Sequence, residues 1–248
     1  KTVSLKVNEA ETYIVTYNPG KDGTGTEYTD NKIEGIDLEL SKKTFNRDGY
    51  KQIGWTKTDG GEKVYDLGSI YTANEAVTLY PVWERQYGLS VRGITVTENN
   101  KSDVLIDGGS VKFEDLSTAE GAKYRLTLKG AILSGESEII NYSDTGGVLE
   151  IVLEGDNKIP AEDYGISSDA DELIFSGEGS LTVKATDNSG TAINSVAGEL
   201  TVKGGNIEAE GNIAVSSGGI LTVSGGTLTL KASADGHNQK AILSLASD

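Results

Sequence analysis

Ile193-Asn194-Ser195, a turn at Gly198, Leu200-Thr201-Val202, a second turn at Gly204-Gly205, then Ile207-Glu208-Ala209: the reading of this phrase decides the fold. It recurs between Glu138 and Leu245. The first strand returns as Ile140-Asn141-Tyr142, Ile166-Ser167-Ser168, Val215-Ser216-Ser217 and Ile242-Leu243-Ser244. The second returns as Leu149-Glu150-Ile151, Leu173-Ile174-Phe175 and Leu221-Thr222-Val223, the third as Leu181-Thr182-Val183 and Leu228-Thr229-Leu230, with Ile159 in that slot one turn earlier. Ile140, Ile166, Ile193, Val215 and Ile242 lie 26, 27, 22 and 27 residues apart, so the turns vary while the strands do not. Three short alternating strands per period, joined by glycine turns and without helix signals, predict a β-solenoid. One coil buries too little apolar surface to offset the entropy of ordering it. Stability requires that each strand pair with the coils above and below. Alternation places Leu200 and Val202 inside, with Phe175, and Thr201 outside.

The surrounding composition agrees with a mostly β chain. Of 248 residues, 32 are Gly and 3 are Pro. Lys and Arg number 22 against 38 Asp and Glu, a net charge of −16, which disfavours nucleic acid and anionic membrane surfaces as partners. No cysteine is present, which excludes disulfides and thiolate zinc sites. No apolar run approaches the length of a membrane-spanning helix, so no membrane insertion is expected. Lys1 in place of Met suits a processed protein or an excised fragment.

Residues 1–86 read as a separate small domain. Thr12-Tyr13-Ile14-Val15-Thr16-Tyr17 alternates and ends at Asn18-Pro19-Gly20; Val77 to Trp83 closes the unit as a strand, with Pro81 pointing to an edge. Trp55 and Trp83 are read as core anchors, with a ligand platform as the alternative. The order Tyr13-x-Val15-x-Tyr17, Asp48-Gly49-Tyr50-x-x-Ile53-Gly54-Trp55 and Leu79-Tyr80-x-x-Trp83 resembles the Listeria–Bacteroides repeat, also called the internalin B-repeat, over residues 12–84. That resemblance implies a β-grasp-like module of an extracellular protein on a bacterial cell surface, a spacer or adhesive contact with no catalytic residue.

Glu84-Arg85-Gln86 reads as a linker to a second domain, 87–248, with residues 87–130 expected to cap the solenoid and residues 131–248 to form its coils. Tyr87-Gly88-Leu89 with Val91, Glu154-Gly155-Asp156-Asn157-x-Ile159, Ser176-Gly177-x-Gly179-Ser180-Leu181-Thr182-Val183 and Ser224-Gly225-Gly226-Thr227-Leu228 resemble a carbohydrate-binding β-helix family of clostridial and gut Firmicutes surface proteins. The resemblance implies a right-handed single-stranded parallel β-helix of the pectate-lyase kind, a polysaccharide partner and bound calcium.

Catalysis finds little footing on the coils. Asn141, Ser167, Asn194 and Ser216 in the first-strand column do not titrate, and arginine occurs only at 47, 85, 92 and 125, ahead of the repeating coils. The lone His237 sits in an Asp235-Gly236-His237-Asn238 loop with no nucleophile beside it. The polar column is expected to form a hydrogen-bonded ladder, with Asn141 and Asn194 also candidate sugar contacts. Tyr142 and Tyr164 are the candidate sugar-stacking aromatics, with packing against a turn as the alternative. Glu136, Glu138, Glu162, Asp163, Asp187, Glu210 and Asp235 are expected to line one corner of the coils. Such a stripe is either a solvated acidic edge or a place where cations bridge. Glu162, Asp163, Asp187, Glu210 and Asp235 are then candidate calcium ligands, since that ion selects hard oxygens. The expected function is non-enzymatic adhesion with polysaccharide binding, calcium-assisted for an acidic glycan. A structural rod that adheres to a host surface protein and a polysaccharide lyase or hydrolase are the alternatives.

Overall fold

The computed structural model describes residues 9–232 and 240–244. Every regular element among them is a β-strand. None of them is a helix long and apolar enough to cross a membrane. The chain divides into two compact units, Lys1–Arg85 and Gln86–Asp248.

In the first unit, β1 (Thr12–Tyr17) pairs antiparallel with β2 (Tyr28–Ile33) and parallel with the Val77–Leu79 part of a later strand. The short β3 (Leu38–Glu39) pairs with β5 (Ile70–Tyr71), and β4 (Tyr50–Thr56) lies between them in sequence. β4 pairs antiparallel with β6 (Val77–Val91), with a bulge between Gln52 and Gly54. No helix is found among the described residues of this unit. An aromatic cluster stands in for a larger aliphatic core: Tyr17 stacks on Tyr28 at 4.7 Å and meets Trp55 at 4.8 Å, and Phe45 meets Trp55 edge-on. Trp55 is fully buried and its indole nitrogen donates to Ser41 O, whereas Trp83 only packs partly against this core. Glu84-Arg85-Gln86, expected as a linker, is strand within β6.

In the second unit, β7 (Ile94–Thr97) folds back on β6, and β8 (Val111–Asp115) forms a hairpin with β9 (Lys123–Lys129). Four coils follow. They are β10 (Ile140–Tyr142), β11 (Val148–Glu154), β12 (Asp156–Ala161); β13 (Tyr164–Ser168), β14 (Glu172–Gly177), β15 (Ser180–Ala185); β16 (Thr191–Ser195), β17 (Glu199–Val202), β18 (Asn206–Gly211); and β19 (Ile213–Ser217), β20 (Leu221–Val223), β21 (Thr227–Ala232). β22 (Lys240–Ser244) begins a fifth. Within the coils, like strands stack in parallel and in register, so Ile140, Ile166, Ile193 and Val215 form one inward column. Leu149, Leu173 and Leu200 form another, all fully buried. The β-solenoid is thus of about four turns, with one apolar interior.

The cap is smaller than 87–130. β9 already pairs parallel with β11 over seven residues, Lys123 to Lys129, and is a rung of the second sheet. What closes the first coil is β6, running antiparallel against β10, β8 on the far side of β9, and an aromatic plug of Tyr87, Phe113, Tyr124 and Tyr142. Large rings suit this position because no further coil supplies side chains to fill the end.

The turns between second and third strands stack backbone on backbone. A Cβ at Gly179 would lie 2.5 Å from Gly155 O, and one at Gly177, where φ is +97°, would lie 2.4 Å from Leu153 O. Only glycine fits there. The turns after the first strands are held differently. Ser195 and Ser217 face inward and donate to Gly198 O and Gly219 O, both at 3.0 Å, while Tyr142 at the equivalent register donates to Gly146 O. A small hydroxyl serves where the core is full, and a phenol serves where it must also fill the end.

Candidate functional site

The outward face of the first sheet carries a polar row that the repeat foreshadowed. Because Ile140, Ile166, Ile193 and Val215 turn inward, the residue after each turns outward. Register then aligns Thr95, Ser90, Asn141, Ser167, Asn194 and Ser216 side by side across six strands. Ser167 and Ser216 are recessed, at 6% and 8% exposure; Asn141 and Asn194 are more open and stand two rungs, or about 9.6 Å, apart at the usual strand spacing.

The expected ladder of bonds along this row is not formed. Asn141 Nδ2 donates to Glu138 at 2.7 Å, and no side-chain hydrogen bond joins Ser167, Asn194 and Ser216 to any of the described residues. The more open Asn194 can exchange its bonds with solvent at little cost, so nothing forces it to pair along the row. The side chains of Ser167, Asn194 and Ser216 spend no hydrogen bond on the described residues.

Tyr142 is corrected by the same alternation. Adjacent residues of a strand face opposite ways, so Asn141 and Tyr142 cannot both contact a sugar. Tyr142 is 1% exposed, 5.9 Å from the Tyr124 ring, and burial pushes its hydroxyl well above the ordinary tyrosine range. Tyr164 is half-buried and stands in register with Thr191, in a column separate from the Asn–Ser row, so the two tyrosines share no surface.

A hollow of about 500 Å³ adjoins the row at Ser90 and Asn141, bounded by Arg92 and by Ser134, Glu136 and Glu138 of the segment leading into β10. Arg92-Gly93 is the two-residue link between β6 and β7, with φ of 52° and 74°. A type I′ turn demands positive φ at both positions, which glycine accepts freely and which costs arginine roughly 1–2 kcal/mol. The arginine is fixed there. Its backbone N donates to Ile139 O at 2.7 Å and its Nε to Ser134 O at 3.1 Å. Both terminal nitrogens are without a partner among the described residues. Arg92 lies ahead of the coils in sequence, yet it borders this hollow; its signal in the sequence is an Arg-Gly pair in a hairpin slot that usually holds Asn-Gly.

The acidic corner is only partly a stripe. Asp163 N bonds Glu136 O and Asp187 N bonds Glu162 O, so the corners of successive coils do stack. Glu210 is not among them. It stands within β18 opposite Lys184, to which it is paired at 2.7 Å, and the corner that follows β18 is the single residue Asn212. Asp187 turns its carboxylate onto Asn188 N and Ser189 Oγ of its own turn. Asp235 and His237 lie outside the described residues. Among the described residues no three His, Cys, Asp or Glu side chains converge as a metal cage.

A second hollow, about 560 Å³, crosses the stacked glycine turns and is edged by Glu154, Asp156, Glu178 and Asn206. Asp156 there accepts from Ser180 Oγ at 2.7 Å, and Asn206 from Thr227 Oγ1 at 3.0 Å, which ties these side chains coil to coil.

No family model, no curated protein and no solved structure matches the chain. Fold and face therefore define it by class, as a parallel β-solenoid with a flat polar row on one sheet and a basic turn at the head of that row.

Proposed function

We propose that this is a non-enzymatic, extracellular protein of a bacterial cell surface that adheres by holding a polysaccharide along the first sheet of its solenoid. The observation that carries this reading is the row Thr95, Ser90, Asn141, Ser167, Asn194 and Ser216. It presents amides and hydroxyls at a regular spacing on a rigid sheet, with Ser167, Asn194 and Ser216 unpaired among the described residues. A glycan hydroxyl both donates and accepts, as an amide group does, so such a row can follow a chain of sugars. Asn141 and Asn194, two rungs apart, would meet alternate units of the chain. The motif resemblances support surface display and a glycan partner. Calcium assistance at the acidic corner belongs to the same reading, although among the described residues no three carboxylates gather there.

Affinity electrophoresis through gels cast with neutral and acidic plant polysaccharides tests it. Retardation by at least one glycan, weakened in Asn141→Ala and Asn194→Ala, is the expected result; equal mobility in every gel overturns it.

A second reading, a structural rod with protein contacts only, is favoured by the recessed hydroxyls of Ser167 and Ser216 and by the inward turn of Tyr142. It predicts no retardation at all.

A further inference from the structure

We propose that Arg92 is the specificity-determining residue of the hollow at the head of the row, and that it takes the carboxylate of a uronic-acid unit. The proposal rests on the polysaccharide reading above. Three observations point to it. Arg92 occupies a left-handed position that favours glycine or asparagine, so the backbone alone gives no reason for arginine there. Its side chain, though exposed, is tied at one point, since Nε donates to Ser134 O and the adjoining backbone N to Ile139 O. What remains is the pair of terminal nitrogens, a fork whose geometry matches two carboxylate oxygens.

The other walls fit the rest of such a sugar. Ser90, Ser134 and Asn141 offer both donors and acceptors, and the carboxylates of Glu136 and Glu138 accept from hydroxyl groups. The same two carboxylates would repel an anion that could not also reach the guanidinium, which makes the hollow selective for a ligand carrying one carboxylate among several hydroxyls. Chain continuing from that unit runs over Asn141 onto the row.

Isothermal titration in EDTA decides this, with a uronic-acid trisaccharide, the same trisaccharide as its uncharged methyl ester, and a sulfated neutral trisaccharide as probes. The intact protein is compared with Arg92→Gly and Asn194→Ala. Glycine is comfortable at this φ, so Arg92→Gly is expected to melt no lower than the parent, and a loss of binding cannot be ascribed to unfolding. The expected result is a loss of tenfold or more for the uronate in Arg92→Gly, no change for the ester, and weaker binding of both in Asn194→Ala. Equal uronate affinity in Arg92→Gly, tighter binding of the sulfated probe than of the uronate, or disappearance of uronate binding in EDTA overturns the role of Arg92 while leaving the polysaccharide reading intact. Failure of the parent to bind any of the three overturns the role of Arg92, and together with equal mobility in every glycan gel it overturns both.

Discussion

Arg125 on β9 and Glu150 on β11 stand opposite one another in register, with Nε and Nη2 of the arginine each 3.0 Å from the same carboxylate oxygen. Ser176, one rung further, donates to the other oxygen at 2.7 Å. Three successive rungs of the second sheet are thereby tied on their outer face, one from before the coils and two from within them. Burial alone would raise the Glu150 carboxyl, but the Ser176 and Arg125 bonds outweigh it and hold the group below its ordinary value.

A lowered carboxyl in the folded state means stability that is complete above the ordinary glutamate value and is lost as pH falls through the lowered one. Glu150→Gln should therefore melt lower than the parent near neutrality, by about 1–2 kcal/mol, because a charged hydrogen-bond acceptor is replaced by a neutral one. Thermal melts between about pH 6 and about pH 3 should show the gap closing toward the acid end as the parent carboxylate protonates. A gap that stays constant over that range would mean that Glu150 acts through packing alone.

Asn157 holds an inward position of the third sheet and is fully satisfied. Its Oδ1 accepts from Ala131 N at 2.8 Å, and its Nδ2 reaches Ser180 O at 3.0 Å. Asn157→Leu keeps the volume and strands both backbone groups, at about 2–3 kcal/mol. Urea unfolding should show a lower midpoint with an unchanged slope.

Gly179→Ala sets a methyl group against Gly155 O of the coil above, and backbone there cannot yield without moving a rung. Overpacking of this kind costs about 1–3 kcal/mol. Its exposed neighbour provides the comparison: Glu178→Ala should stay within about 0.5 kcal/mol of the parent. Equal melting of the two variants would mean the turns do not stack as described.

Inward Tyr142 and outward Asn194 make a matched pair of opposite predictions. Tyr142→Ala empties the aromatic plug and should lose about 3–5 kcal/mol. Tyr142→Phe keeps the ring and should hold glycan as the parent does. Asn194→Ala should leave the melting temperature unmoved and weaken retardation in the glycan gel. Loss of glycan retention in a folded Tyr142→Phe protein would place that hydroxyl on the ligand side after all.

The coil repeat, the inward Leu and Ile columns and the outward Asn–Ser row were all legible in the chain, because each follows from a period of two within a strand and a recurrence between strands. Both are local properties. Alternation even implied the burial of Tyr142, since a strand that shows Asn141 to solvent must turn its neighbour inward. What the linear order could not supply was which residues meet across turns of unequal length. Glu210 looks like a corner residue when counted along the chain, yet the corner there shrinks to Asn212 and leaves Glu210 in the strand opposite Lys184. Arg92 looks unconnected to the coils, yet the antiparallel run of β6 against β10 brings it to Ser134, 42 positions away. Tertiary structure decided those pairings because stacking fixes register strand by strand, whereas loop length, which sets where each side chain emerges, obeys no period.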